Sequence, residues 1–222
     1  MFHTIRRIIS AIAVMVALSG AGFKEAAAAG PAVAPIDFDS YVNLFNGKDL
    51  TGWNGDTKLW SAQGGMIVGK SPGTNYNAFL ATTQQYQDFE LRLSFRLVGG
   101  VGNSGVQIRS ARRPDSPQVV GYQADIGDQY WGSLYDEARR EKLLVDARQT
   151  GALDAVKKDG WNEYVIRCQG DHIELTLNGV KTVDYHETDG SIPRSGIIAL
   201  QIHAGSPMQV QFRDIRIRTL GK

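Results

Sequence analysis

The chain has 222 residues, with 24 Lys and Arg against 23 Asp and Glu, a balance that excludes the strong positive field by which nucleic acid or an anionic membrane is held as a partner. Its single cysteine, Cys168, excludes an intrachain disulfide framework and a cysteine-based metal site. The length suits one domain of the larger all-β kind with a real core.

In chain order, residues 1–29 read as a signal peptide: Arg6 and Arg7, then an apolar run from Ile8 to Leu18, then Ala26 to Ala29. The run is too short to span a bilayer, and no cysteine follows it to carry a lipid anchor. Its removal takes away Arg6, Arg7, Lys24 and Glu25 and leaves 21 basic and 22 acidic residues. Export without a disulfide framework predicts a periplasmic or secreted protein, free of the membrane once processed. Residues 30–41 form a Pro/Ala linker, and residues 42–220 the folded domain.

Within that domain turn residues and short alternating runs recur with little helical periodicity, which predicts an all-β fold. The clearest strands are 89–97, 105–110, 121–126, 162–169, 171–177, 181–185, 196–203 and 210–218. Asn178-Gly179 predicts a type I′ hairpin turn. In 89–97 odd positions are apolar and even positions polar, so one face is buried and the other wet. Two antiparallel sheets packed face to face, as a sandwich or jelly roll, dispose of so many short strands. Residues 127–160 break the pattern and predict a functional loop with a short helix near Ala152–Lys157.

Three strands carry polar pairs at spacing two: Gln107 with Arg109, Gln123 with Asp125, and Gln201 with His203. That spacing puts each pair on one face of its strand. If the strands are sheet neighbours, the six side chains form a polar floor suited to a sugar; the bland alternative is a solvated sheet face. A real floor predicts Arg109, Asp125 and His203 in one pocket. Asp128, Tyr122 and Trp131 adjoin the floor in sequence, with Trp131 expected to stack on a sugar. Tyr135-Asp136-Glu137 with Arg139-Arg140 reads either as a self-paired loop or as a lid over the floor. Asn103-Ser104-Gly105 reads as the turn of a hairpin from Phe95.

The stretch from Phe45 to Trp53 (FNGKDLTGW) resembles the opening signature of the 3-keto-disaccharide hydrolase family, a concanavalin-like sandwich family. Further matching fragments follow in order: Asp88-Phe89-Glu90-Leu91, residues 103–109, Gly121-Tyr122-Gln123, Trp161-Asn162, Asn178-Gly179, residues 196–203 and residues 212–215. The resemblance spans about residues 42–220 and implies cleavage of glycosides or disaccharides whose glucose ring is oxidised at C3. The ketone acidifies the C2 proton, so a base removes it, the C1 leaving group departs, and water adds back. That route needs a base (Asp125 or His203), an enolate partner (Arg109) and a proton donor (Glu137 or Tyr135). Members often have Tyr-Glu-x-Gln where this chain has Tyr122-Gln123-Ala124-Asp125, which moves the carboxylate two residues along on the same side. Two further readings stand beside the enzyme: a carbohydrate-binding domain that has lost the chemistry, and a retaining glucanase, for which no Glu-x-Asp-x-x-Glu strand occurs. No cofactor is implied; calcium stays open through Asp125, Asp128, Glu137 and His203, without a supporting motif.

Overall fold

The computed structural model describes residues 40–221. The proposed signal peptide, and the linker apart from Ser40 and Tyr41, lie outside them. Fifteen strands run in chain order among the described residues. They are β1 (Val42–Asn43), β2 (Trp53–Asn54), β3 (Trp60–Gln63), β4 (Met66–Ser71), β5 (Ala78–Thr82), β6 (Phe89–Leu97), β7 (Asn103–Arg112) and β8 (Val119–Gly127). After these come β9 (Leu134–Glu137), β10 (Lys142–Val145), β11 (Asn162–Gln169), β12 (His172–Leu177), β13 (Val180–His186), β14 (Ile197–Ile202) and β15 (Met208–Thr219), with a one-turn helix α1 (Ala152–Ala155) before β11. None of the described helices is long and apolar enough to cross a membrane.

Alternation sorts these strands into two antiparallel sheets. One has eight strands in the order β13-β12-β11-β6-β15-β4-β3, with β1 on β15; the other has seven, in the order β10-β9-β8-β7-β14-β5-β2. In β6 the side chains of Phe89, Leu91, Leu93, Phe95 and Leu97 are buried between the sheets while Arg92, Ser94 and Arg96 point outward. Facing them, β7, β8 and β14 bury Val106, Ile108, Ala124, Ile126, Ile198, Leu200 and Ile202 in the same core. Each such large apolar side chain contributes about 1.5–3 kcal/mol by leaving water. The last strand is irregular in sequence because a bulge resets it: the register on β6 shifts between Arg213 and Arg216, with Asp214 at φ 54°, so Phe212 and Ile215 both turn inward.

The turn at Asn178-Gly179 has both residues at positive φ (49° and 83°), as type I′ requires. The segment 127–160 is more regular than its sequence suggests, since it supplies β9 and β10 at one end of the seven-stranded sheet. Asn103-Ser104-Gly105 is not a hairpin turn: β6 and β7 belong to different sheets, so residues 98–102 make a crossover and Asn103 already opens β7.

Candidate functional site

The three strands with paired polar residues are consecutive neighbours, β8-β7-β14, in the seven-stranded sheet. Their core-facing residues alternate with an outer set, and register aligns that set across strands: Gln123 lies opposite Gln107, which lies opposite Ala199, and Asp125 lies opposite Gly105. The outer side chains join head to tail. The Ser110 hydroxyl donates to Gln107 Oε1 (2.8 Å), Gln107 Nε2 to Gln123 Oε1 (2.8 Å), and Gln123 Nε2 to Asp125 Oδ1 (2.8 Å). Every donor therefore points toward one carboxylate. Gly105 makes room for this: a Cβ there would lie 2.5 Å from Gln123 Cδ. Gln201 is fully buried in the same layer and neither amide atom has a protein partner, a state that costs about 1–3 kcal/mol.

Above the end of this chain opens a cavity of about 370 Å³ lined by Gln123, Asp125, Tyr135, Glu137 and His203 together with Asn77, Asn103, Tyr130 and Leu143. Burial raises the Asp125 carboxyl to about 7; the Gln123 amide opposes that rise and the nearby Glu137 charge adds to it. Glu137 is also raised, by burial, against a hydrogen bond from Asn77 Nδ2 (3.0 Å) and the charge of His203. Burial, with Glu137 close by, likewise keeps the Tyr135 phenol protonated as a donor. The His203 ring places Nδ1 at 2.7 Å from the Ala204 carbonyl. A carbonyl only accepts, so Nδ1 carries a proton, and Nε2 is the ring nitrogen left for a group in the cavity. The cavity thus combines a carboxyl that titrates near neutrality, a second carboxyl, an imidazole and a set of amides and phenols.

The model of the 3-keto-alpha-glucoside-1,2-lyase-like domain matches residues 40–218. The chain belongs to this family. Among solved structures, a candidate glycosyl hydrolase from Parabacteroides distasonis ATCC 8503 aligns with a TM-score of 0.63 at 22% identity, over 82% of this chain and 95% of that one. The carbohydrate-binding module CBM66 from Bacillus subtilis aligns with a TM-score of 0.57 at 14% identity, over 76% and 96% of the two chains. A Bacillus licheniformis beta-glucanase aligns with a TM-score of 0.53 at 15% identity, over 81% and 97%. These likenesses establish the concanavalin-like sandwich. No curated protein matches the sequence. The family assignment and the fold together point to carbohydrate cleavage or binding.

In this 3-keto-glucoside lyase-like domain several residues expected at the site do other work. Arg109 is buried away from the cavity: a bulge between Ile108 and Ala111, with Arg109 at φ 48°, breaks the two-residue alternation and turns its side chain from the floor. Its guanidinium donates to the Gln87 carbonyl (2.7 Å), the Gly170 carbonyl (2.8 Å) and Asp88 (2.8 Å). Tyr122 faces inward, donating from its hydroxyl to Glu187 Oε2 at 2.6 Å. Arg139 and Arg140 both pair with the fully buried Asp136 and lie over the Tyr122 ring, and Arg140 also holds Glu187 at 2.7 Å. Although burial pushes the Glu187 carboxyl up, the hydrogen bonds from Arg140 and Tyr122 override it and hold it at about 2.

The segment 135–140 is therefore divided: Tyr135 and Glu137 line the cavity, whereas Asp136 and the two arginines form the self-paired network. Trp131 is a core residue, stacked on Phe95 at 6.1 Å with its indole N–H on the Asp128 carbonyl. Trp131→Phe should lower stability by about 1–2 kcal/mol in urea unfolding and leave sugar affinity unchanged; a selective loss of sugar binding would return it to the site. Gln107 and Gln201 sit beneath the floor rather than on it. Asp128 is exposed and accepts from Asn103 Nδ2 (2.9 Å) beside a neighbouring cavity.

Asn77, Tyr130 and Leu143 line the cavity without a local sequence signal, and Asn103 lines it from the start of β7 rather than from a turn. Asn77 reaches the site because β5 pairs with β14, far away in sequence; its Oδ1 also accepts from the Ala204 N–H (2.8 Å). Asp125, Asp128, Glu137 and His203 do not gather as a metal-binding group. Among the described residues the ligand atoms of His172, Asp184 and His186 do lie within 4.8 Å of one another, exposed or half-exposed on the β12–β13 hairpin.

Proposed function

We propose that the chain cleaves glycosides oxidised at C3 of the sugar, by proton abstraction at C2 and elimination of the C1 substituent. The carrying observation is Asp125, a carboxyl held at the end of a one-way hydrogen-bond chain and poised near neutrality by burial. A base with that pKa is ionised at working pH yet basic enough to take a proton acidified by the adjacent ketone.

In this reading Asp125 takes the C2 proton and the Tyr135 phenol donates to the developing oxyanion at C3. The C1–O bond breaks as electrons flow from C2, and His203 in its protonated form delivers a proton to the departing oxygen. Glu137, in electrostatic contact with His203, balances its charge. The product is the unsaturated keto sugar, and addition of water across its C1–C2 double bond gives the free 3-keto sugar. With Arg109 away from the cavity, the oxyanion meets neutral donors.

The test is incubation of the processed protein with 3-keto-trehalose, 3-keto-sucrose and a 3-keto aryl glucoside beside their unoxidised parents. Release from the keto forms alone is expected, with kcat/KM rising with pH through about 7 as Asp125 ionises. Release from the unoxidised parents would favour a glucanase-type mechanism. Binding without release would move the assignment to a carbohydrate-binding domain, the function named for the CBM66 structure.

A further inference from the structure

The eight-stranded sheet ends in the β12–β13 hairpin, with β13 as its edge strand. Alternation buries Ile173, Leu175 and Leu177 between the sheets, so His172 and Glu174 point outward from β12. Register sets His186 directly opposite His172 and Asp184 directly opposite Glu174. Such facing positions hold their Cβ atoms about 5 Å apart. Two of the chain's four histidines therefore meet at one cross-strand position.

The side chains close on each other there. The His172 and His186 rings lie parallel, with 4.1 Å between centroids and 3° between planes. His172 Nε2 is 2.6 Å from Asp184 Oδ1, and one ligand atom from each of His172, Asp184 and His186 lies within 4.8 Å of the other two. Asp171 Oδ1 lies 3.4 Å from His186 Nδ1, which leaves Nε2 of that ring for another partner. Ion pairing alone gives little reason for this convergence: Asp184 and His186 side chains are 54% and 60% exposed, and exposed pairs are weak.

We propose that the hairpin binds a transition-metal ion of the zinc type through His172, His186 and Asp184, and that the ion pins the edge strand to its neighbour. Imidazole nitrogens select zinc, nickel and copper over calcium and magnesium. Two imidazoles and a carboxylate fill three of zinc's four positions and leave the last to water. Asp171 is then the carboxylate that orients His186 through Nδ1. Ligand atoms around one zinc ion lie about 3.3 Å apart, so the cluster needs side-chain rotations on the order of 1 Å and no backbone change. Lys181 is the competitor, since its ammonium contacts Asp184 and lies 2.8 Å from Glu174. Binding moves it wholly onto Glu174, which stays outside the ligand set. The site lies on the opposite sheet from Asp125 and does not depend on the reaction proposed above.

The test is titration of the processed protein, prepared without a histidine tag, with zinc chloride, nickel chloride and calcium chloride, followed by calorimetry and thermal melting. One equivalent of zinc or nickel is expected to bind and to raise Tm by about 5–10 °C when the free ion stands about one hundredfold above Kd; calcium should do neither. His172→Gln and His186→Gln should each weaken zinc by more than about a hundredfold, and Asp171→Asn by about tenfold. Lys181→Gln should tighten it several-fold, a gain that a misfolded variant cannot imitate. His203→Gln should bind zinc as the wild type does. No binding by the wild type, an equal response to calcium, or binding lost with His203→Gln and kept by the two hairpin variants would overturn the proposal.

Discussion

Asp125→Asn is expected to reduce turnover of a 3-keto glycoside by about 10³- to 10⁴-fold and, at the same time, to raise the melting temperature above pH 7. The first effect follows from removing the base. The second follows from linkage. In the folded protein Asp125 keeps its proton up to about 7, against an ordinary value of 3.8, because burial disfavours the charge. Between those values the folded state holds a proton that the unfolded state has released, so stability falls as pH rises through that window and is constant above it. The asparagine variant carries no such penalty. The two proteins should melt together below pH 4, and the variant should gain progressively up to pH 7, to a limit on the order of 2–4 kcal/mol. The upper end applies to a dry site and the lower to one partly open to water. Equal melting temperatures at pH 5 and pH 8 would mean that Asp125 ionises freely, and the base would then have to be sought at His203 or Glu137.

The architecture and half of the site can be read from alternation alone. Period two in 89–97 names the buried face of β6, and the same rule applied to three polar pairs brings together β7, β8 and β14 as a polar layer ending at Asp125 and His203. Alternation also contained two corrections. Tyr122 precedes Gln123, and Asp136 separates Tyr135 from Glu137, so neither can share the cavity face of its neighbour. Tyr122 and Asp136 accordingly face the arginine network between the sheets. What no local pattern carries is a bulge. Arg109 adopts a left-handed backbone conformation uncommon for a residue with a side chain, and nothing in its neighbours marks it. Nor does sequence spacing reveal that Asn77 and His203 meet, since that depends on which strand β5 joins. The irregular stretch around Trp131 suggests exposure, whereas its ring fills the core against Phe95 and its indole N–H is held by the Asp128 carbonyl.

Arg109→Met should cost about 3–5 kcal/mol of stability while leaving kcat/KM per folded molecule within about twofold of the wild type. The side chain is almost wholly buried and ties three chain segments together: Gln87 and Asp88 ahead of β6, the β11–β12 turn at Gly170, and β7 itself. Methionine fills similar volume but satisfies none of the three acceptors. It strands two carbonyls and leaves the Asp88 carboxylate, 13% exposed, with only the Gly170 N–H (2.9 Å) in place of its ion pair. Asp88→Asn in the same background should recover part of the loss, because the charge left unpaired is what makes the single substitution expensive. The opposite pattern, an unchanged melting curve with turnover reduced a hundredfold or more, would place the guanidinium at the reacting oxyanion after all. Arg109 and Asp125 are thus separated by a simple crossing of effects. One removes stability without activity and the other activity without stability, and that crossing follows from a single bulge in β7 that points Arg109 into the scaffold while Gln107 stays in the hydrogen-bond chain that ends at Asp125.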